Sequence, residues 1–346
     1  MDSLVRRLGA AVILVAMPAP VLAQSNPSAP QVTIGGVIYG QYSYALRSGP
    51  TGHANNFDIS RAYVNVNGKF AQGVGSRITG DVYRVSDGSL SYRLKYAFMT
   101  WKPEGSTLTY KFGLGQTPFI DYAEGLWDYR MQGTVAADRT GYLSSSDFGA
   151  SVDGSWKNEG VSLSAGVYNG EFYSKTPGDK HKDLAGRISV RLAPSDDASR
   201  FGGLRLTGFA LVGQPNGGGT RERYLGQLSY RTKAFTLGAE LMSTRDRVDT
   251  TATVGPTTTG RVMSLFGVVR VPDSKVGLIA RLDANDRNTS TDNDQINRLI
   301  AGVSYQLSPN VRWLVDIDNI WYQGGSPSPA ADAARSQLLF QMQLVF

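Results

Sequence analysis

The chain contains no cysteine and only two histidines, His53 and His181. Without cysteine it has no disulfides, no thiol nucleophile and no iron–sulfur ligands, and two histidines argue against a multi-histidine metal centre. Charged residues make up 18% of the sequence, below the roughly 25% of soluble domains. Beyond the first residues no apolar run is long enough for a membrane-spanning helix, so a helical membrane bundle is excluded. We expect no metal and no cofactor.

The N-terminus predicts export. Arg6 and Arg7 precede an apolar stretch over 8–17, and small residues follow around Ala23. A basic start, a short apolar core and small residues before the cut are typical of a secretory signal peptide. The alternative, a membrane anchor, needs a longer apolar stretch. The predicted parts of the chain are a signal peptide (1–23), a short linker (24–31) and one barrel domain (32–346).

After residue 31, apolar and polar residues alternate with a period of two. In the last segment Phe340 stands on one face and Gln341 on the other, and in the segment 92–99 the pattern puts Tyr96 and Phe98 on the apolar face. One face is apolar over about ten residues, while the other carries charges, hydroxyls or glycine. This pattern predicts an all-β fold, a transmembrane antiparallel β-barrel with lipid outside and water inside.

We predict sixteen strands, an even number that lets a bacterial barrel close with both ends of the chain on one side. They cover residues 32–47, 56–70, 74–86, 89–101, 107–117, 147–156, 160–171, 183–193, 203–214, 220–232, 234–247, 258–271, 275–287, 293–306, 310–323 and 336–346. Connections after even-numbered strands are short, and most of those after odd-numbered strands are longer and polar. Short periplasmic turns and long outer loops produce this rhythm, whereas a soluble sandwich does not.

Phe346, the last residue, stands on the apolar face of the last predicted strand. A C-terminal aromatic residue in the final strand is typical of bacterial outer-membrane proteins, where it is thought to be recognised by the barrel-insertion machinery. We therefore expect a multi-pass barrel in the outer membrane of a Gram-negative cell. Its expected partners are the lipid bilayer, lipopolysaccharide and the insertion machinery.

Several segments form a recognisable series: FDISRAY (57–63), LKYAF (94–98) with FGLGQTPF (112–119), DRTG (138–141) and GVYNG (166–170). In this order they resemble the porin O/P family, also called phosphate-selective porins. The resemblance extends from about residue 32 to the C-terminus and is strongest over 56–171. It implies a homotrimer of sixteen-stranded barrels that conduct small solutes. It also implies that the third extracellular loop, here 118–146, folds inward and narrows the pore.

The loop 118–146 departs from this family in its charges. Phosphate selectivity in the family implies lysines in the inward loop and an arginine ladder on the wall, but this loop has no lysine. Its charged residues are Arg130, Arg139, Asp121, Glu124, Asp128 and Asp138. We therefore expect a passive, modestly anion-selective channel for small hydrophilic solutes. A channel specific for phosphate or polyphosphate is the alternative.

The alternation also predicts which charged side chains face the lumen. The basic ones are Arg61, Arg77, Arg93, Lys95, Lys111, Arg187, Arg191, Arg205, Arg223, Arg231, Arg270, Arg281, Arg298 and Arg312, and the acidic ones are Asp81, Asp147, Asp153, Glu240, Asp283, Asp316 and Asp318. A positive wall in a narrow tube raises the local concentration of anions. The alternative for each arginine is a carboxylate pair that only braces the wall, although too few acids share the face to pair them all.

The five basic residues on the second to fifth strands precede the loop. Arg61, Arg77, Arg93, Lys95 and Lys111 are predicted to form the basic side of the constriction. The acids of the loop, Asp121, Glu124, Asp128 and Asp138, are predicted to lie opposite wall arginines and so to create a transverse field.

Two other function classes have little support. Barrel enzymes of outer membranes use histidine-centred sites, but His53 and His181 fall in predicted loops, and no G-x-S-x-G or H-E-x-x-H motif is present. A nucleic-acid role would need a basic cluster with interleaved aromatic residues, and none stands out.

Overall fold

The computed structural model describes residues 29–85, 87–176, 178, 180–215, 218–250 and 253–346. The predicted signal peptide and most of the predicted linker lie outside these residues. No helix in the described part is long and apolar enough to cross a membrane.

Sixteen strands form the described structure. They are Gln31–Ala45 (β1), Asn55–Lys69 (β2), Val74–Arg84 (β3), Leu90–Trp101 (β4), Leu108–Gln116 (β5), Ser146–Trp156 (β6), Val161–Tyr168 (β7), Asp183–Ala193 (β8), Gly203–Gly213 (β9), Gly219–Arg231 (β10), Phe235–Val248 (β11), Thr258–Arg270 (β12), Val276–Asp286 (β13), Ile296–Ser308 (β14), Val311–Tyr322 (β15) and Ser336–Val345 (β16). The short helices are Ile120–Trp127 (α1), Ala136–Arg139 (α2) and Pro329–Ala334 (α3), with one 3-10 turn at Ala71–Gly73.

The strands close into a barrel in which every strand pairs antiparallel with its neighbours in sequence. Closure is made by β1 and β16, with Val37 opposite Val345. The backbone of Phe346 continues this pairing, because its amide and carbonyl both bond to Gly36. The prediction of a sixteen-stranded antiparallel barrel is confirmed, since each predicted strand overlaps an observed one.

The two faces of the wall differ as the alternation predicts. Phe112 and Leu265 point outward and are 70% and 60% exposed, whereas the inward Arg205 and Thr207 are 0% and 1% exposed. Outward apolar side chains suit a hydrocarbon environment. The inward side chains are buried because something inside the barrel covers them.

The connections keep the predicted rhythm with one exception. Turns such as 102–107 and 157–160 are short, and the connection 117–145 after β5 is the longest. The exception is 194–202, between β8 and β9, which lies at the short-turn end but is as long as some outer loops.

A β-bulge in β4 overturns one face assignment. Gly80 pairs with Leu94 and Thr79 pairs with Tyr96, so Lys95 is an extra residue in β4. Beyond the bulge the faces exchange, and Tyr96 is 6% exposed on the inner side. The prediction that Tyr96 and Phe98 lie on the apolar outer face is therefore wrong.

Candidate functional site

The connection 117–145, here called the inner loop, carries an apolar surface that is completely buried. Phe119 and Trp127, at the two ends of α1, are 0% exposed. The ring of Phe119 lies 5.5 Å from that of Phe209 on β9, and the ring of Trp127 meets Phe266 on β12 edge to face at 5.6 Å. Both wall residues point inward. The inner face of β9 and β12 therefore carries apolar residues because the loop covers it.

Side-chain hydroxyl and amide groups on β8, β14 and β16 also form hydrogen bonds with the inner loop. The hydroxyl of Tyr122 lies 3.0 Å from Oγ of Ser189 on β8, and that of Tyr129 lies 2.7 Å from Oγ of Ser304 on β14. The side-chain amide of Gln341 on β16 donates to the carbonyl of Met131 at 3.0 Å. Because these partners belong to the inward face from β8 to β16, we infer that the loop folds into the barrel.

Wall arginines donate to backbone carbonyls of the inner loop. The pairs are Arg187 to Pro118 (2.9 Å), Arg223 to Tyr142 (3.3 Å), Arg231 to Gly125 (3.2 Å), Arg281 to Thr134 (3.0 Å) and Arg312 to Asp128 (2.8 Å). These five arginines belong to the predicted inward set. The expectation that too few acids share the face to pair every arginine did not consider the loop backbone as a partner.

The opposite wall, β2 to β5, presents five cations to the lumen with few carboxylates among them. Arg61 and Arg93 share a single acid, Asp81, with N–O distances of 2.9 Å each. Lys111 pairs with Asp153 at 3.2 Å. Among the described residues, these five positive charges form ion pairs with two carboxylates, so this wall is positive.

The other two cations of this wall have only neutral partners among the described residues. Arg77 donates to Oδ1 of Asn65 at 2.8 Å and to Oγ1 of Thr79 at 2.9 Å. The ammonium of Lys95, placed at the bulge, lies 3.3 Å from the hydroxyl of Tyr63. Neither cation forms an ion pair with a carboxylate of the described residues, and the side chain of Lys95 is buried, at 5% exposure.

Tyr63 is the place where the β2–β5 wall and the inner loop meet. Its hydroxyl accepts from Lys95 and from Arg130 of the loop, the latter at 3.4 Å. Arg130 in turn forms an ion pair with Glu124 at 2.8 Å. We call Lys95, Tyr63, Arg130 and Glu124 the constriction.

Two acids, Glu124 and Asp138, lie behind Arg130 and are linked through the hydroxyl of Thr134. Thr134 bonds through its hydroxyl to Glu124 at 2.8 Å and to Asp138. Burial and the charge of Glu124 raise the pKa of the Asp138 carboxyl, and the Thr134 hydrogen bond and Arg130 oppose this only in part. A hydroxyl has one proton and cannot donate to two carboxylates at once, so Thr134 stabilises only one of the two negative charges at a time.

The remaining predicted loop residues lie elsewhere. Asp121 pairs with Arg200 of the connection 194–202 at 3.2 Å. Asp128 lies 3.5 Å from Arg270 and 3.6 Å from Arg312. It therefore meets wall arginines, but on β12 and β15 and not on the wall that holds the five predicted cations.

Arg139 lies on the wall side of the inner loop. Its guanidinium donates to Gln132 at 3.1 Å, and Gln132 donates to Asp318 of β15 at 3.1 Å. Burial and the neighbouring Arg298 and Arg281 lower the pKa of Arg139 to about 9, so it stays charged at neutral pH. The structure thus brings Glu124, Arg130 and Lys95 together and holds Arg139 and Asp128 apart from them.

The model of the Gram-negative porin family matches residues 10–324 of the sequence. The chain belongs to the Gram-negative porin family. This membership indicates an outer-membrane channel rather than an enzyme. The match is to this broad family, so the narrower porin O/P resemblance remains a proposal.

Solved porin structures share the fold at low identity. The anion-selective porin from Comamonas acidovorans is 12% identical, with a TM-score of 0.68 over 92% of this chain and 100% of that one. A loop-deletion mutant of OmpT of Vibrio cholerae is 12% identical, with a TM-score of 0.64 over 92% and 100%. OmpF of Salmonella typhi, in complex with daunomycin, is 11% identical, with a TM-score of 0.64 over 91% and 97%. No curated protein matches the chain.

Sequence reasoning missed the tyrosines of this porin. The guanidinium of Arg93 lies 3.7 Å from the ring centre of Tyr83 and 4.5 Å from that of Tyr173. Lys95 lies 4.6 Å from the ring centre of Tyr63. In the sequence, Tyr63 follows Arg61 by two residues and Tyr83 follows Asp81 by two residues, which places each tyrosine on the same face as the charged residue. That spacing was the available signal for the tyrosines. Each ring holds a cation in place by a cation–π contact without neutralising it.

The contacts of His53 give no support to a histidine-centred catalytic site. Its Nδ1 lies 2.8 Å from the carbonyl of Ala45, and its ring stacks on Tyr44 at 5.5 Å. These contacts hold the loop between β1 and β2, which is a structural role. His181 lies in the connection between β7 and β8.

Proposed function

We propose that this porin is a passive, modestly anion-selective channel for small hydrophilic solutes. The observation that carries the proposal is the charge of the β2–β5 wall, where five cations form ion pairs with only two carboxylates, Asp81 and Asp153, among the described residues. In a narrow tube with low-dielectric walls this imbalance attracts anions and repels cations.

Each contact that this wall offers to an anion is weak enough for the anion to leave again. Arg61 and Arg93 are already hydrogen-bonded to Asp81. An anion must therefore compete with this carboxylate and is held only in part. Lys95 offers the least compensated charge, because Tyr63 is its only hydrogen-bond partner among the described residues. Conduction needs such a series of shallow sites more than one deep site.

The inner loop supplies the opposite sign. Glu124 lies across from Lys95 with Arg130 and Tyr63 between them. This arrangement supports a transverse field at the constriction, which orients polar solutes as they pass. Asp121, 44% exposed in its side chain, extends the acidic side toward the short-turn end.

The test is the zero-current potential of the purified protein in planar bilayers under a KCl gradient. We expect the sign that corresponds to chloride preference, with single-channel conductance proportional to salt concentration. A strong cation preference would contradict the proposal.

A channel specific for phosphate or polyphosphate is the second candidate, and the porin O/P resemblance of 56–171 favours it. The inner loop offers Arg130 and Arg139 but no lysine, and Arg139 lies on its wall side. Adding phosphate separates the candidates. Conductance that saturates at low phosphate supports the specific channel, and a linear rise supports the general one.

The assembly and location belong to the same proposal. We infer a homotrimer in a Gram-negative outer membrane, in contact with lipopolysaccharide, after cleavage of residues 1–23. One compared structure is named as a trimer form of OmpT of Vibrio cholerae. Phe346, half-exposed on the outer surface beside Gly36, supports recognition by the insertion machinery. Crosslinking of membranes and N-terminal sequencing of the mature protein test these points.

A further inference from the structure

A cavity of about 440 Å³ lies between the inner loop and β4 to β8, near the short-turn end of the barrel. Its rim includes Lys102 and Glu159, which belong to the turns 102–107 and 157–160. Its size is that of a site for a small organic molecule. Because the inner loop and the strands β4 to β8 line it, the cavity lies inside the barrel.

The charged groups of the cavity mostly neutralise each other, apart from Arg187. Lys111 pairs with Asp153 at 3.2 Å, and Arg200 pairs with Asp121 at 3.2 Å. Arg187, within the described residues, has no carboxylate partner. The cavity therefore offers an anion one uncompensated guanidinium in its interior.

Arg187 is held so that its orientation is fixed. Its Nε donates to the carbonyl of Pro118 at 2.9 Å and its Nη1 donates to Oγ of Ser162 at 3.1 Å. Its guanidinium stacks on the ring of Tyr122 at 4.3 Å. One nitrogen, Nη2, makes no hydrogen bond within the described residues. A guanidinium fixed in this way suits a carboxylate, which it binds through directed hydrogen bonds.

The rest of the lining is unusually rich in hydroxyl groups. Those that line the cavity beside Arg187 come from Thr107, Thr109, Ser155, Ser162 and Ser164. Gln116 adds a buried side-chain carbonyl oxygen that has no hydrogen-bond partner in the described part of the chain. Phe98 and Tyr122 add aromatic faces. Hydroxyl and amide groups bind the hydroxyls of a polyol, and aromatic faces pack against its C–H groups.

We propose that this cavity binds a hydroxylated organic anion of the sugar-acid class, with the carboxylate at Arg187 and the hydroxyls along the Thr and Ser side chains. The proposal rests on the proposed anion-selective channel and names the solute class that the channel retains most. A short carboxylate without hydroxyls would satisfy only Arg187. A neutral sugar would satisfy only the hydroxyl lining.

The experiment measures block of chloride current by glucuronate in planar bilayers containing the full-length porin. We expect saturable block, with half-block at a concentration on the order of tenfold lower than for propionate or glucose, because each of these lacks one half of the contacts. Equal block by glucuronate and propionate, or glucuronate block that never saturates, overturns the proposal. A wild-type channel without anion preference in a KCl gradient refutes the proposed function instead, so the two failures are distinguishable.

Two variants locate the site. Arg187→Gln is expected to raise the half-block concentration on the order of tenfold, but it also removes the bond to Pro118. Thr109→Val removes one hydroxyl that makes no other side-chain hydrogen bond within the described residues, and it is expected to raise the half-block concentration about threefold to tenfold. Thr258→Val, at the opposite end of the barrel, is the matched control and should change nothing. Equal effects of Thr109→Val and Thr258→Val would place the site elsewhere.

Discussion

The inner faces of β2–β5 and of β8–β16 both carry basic residues, but these residues have different roles. On β2–β5 the cations rest on tyrosine rings and meet few acids, as Arg93 does on Tyr83. On β8–β16 the arginines donate to loop carbonyls, as Arg312 does to Asp128. An inward arginine is therefore not in itself a solute contact. The groups around it decide whether it attracts anions, anchors the loop or, as proposed for Arg187, does both.

The strongest test of the anchoring side is Trp127→Ala. Trp127 is 0% exposed and packs on Phe266, so its loss is expected to cost about 3–5 kcal/mol of packing at the loop. We expect higher single-channel conductance, more current noise and a lower denaturation temperature in detergent. Trp101→Ala, which removes an exposed outward ring, should leave conductance unchanged. Unchanged conductance in Trp127→Ala would show that the loop does not restrict the pore.

The next test separates the two kinds of cation. Lys95→Gln removes a charge that forms no ion pair with a carboxylate among the residues that the structure describes. A unit charge at about 4 Å in water contributes ~1 kcal/mol, so the chloride-to-potassium permeability ratio should fall about fivefold. Arg312→Gln removes an anchoring charge and should change the ratio much less. Zero-current potentials in a KCl gradient measure both. Equal effects would abolish the distinction between the two walls.

A smaller effect is expected from pH. Because the pKa of Asp138 is raised, this carboxyl takes up a proton at a higher pH than an ordinary aspartate. Lowering the pH from neutral therefore removes a negative charge near Glu124 and Arg130, and the chloride preference should increase. Asp138→Asn should show the increased preference already at neutral pH and little further change. A wild-type permeability ratio that stays constant as the pH falls toward 4 would refute this.

The smallest effect on selectivity is expected from Tyr63→Phe. This change removes the hydroxyl that accepts from Lys95 and Arg130 but keeps the ring beneath Lys95. We expect a loss of about 0.5–1.5 kcal/mol in the free energy of unfolding, with little change in permeability ratio. Urea unfolding in detergent, followed by tryptophan fluorescence, measures the loss. A large change in the ratio would mean that the hydroxyl itself contacts the ion.

The candidate site was only partly accessible to sequence reasoning. The ion pairs of Arg61, Arg93 and Lys111 join residues that simple alternation places on one face. Tyr96 was assigned to the wrong face because the bulge at Lys95 adds one residue. Gly80 permits this local arrangement, since a Cβ there would lie 1.7 Å from the hydroxyl of Tyr92. Neither feature alters the composition or the period of the surrounding segment.

The amino-acid sequence alone determined the sixteen strands, their order and the outward apolar face, because a two-residue period and turn residues are local properties. Only the tertiary structure decided that Arg130 and Lys95 share Tyr63, while Arg139 and Asp128 lie against other strands. Alternation states which face a side chain occupies. It contains no information on which side chain stands across the barrel, since that depends on how the inner loop packs within the closed wall.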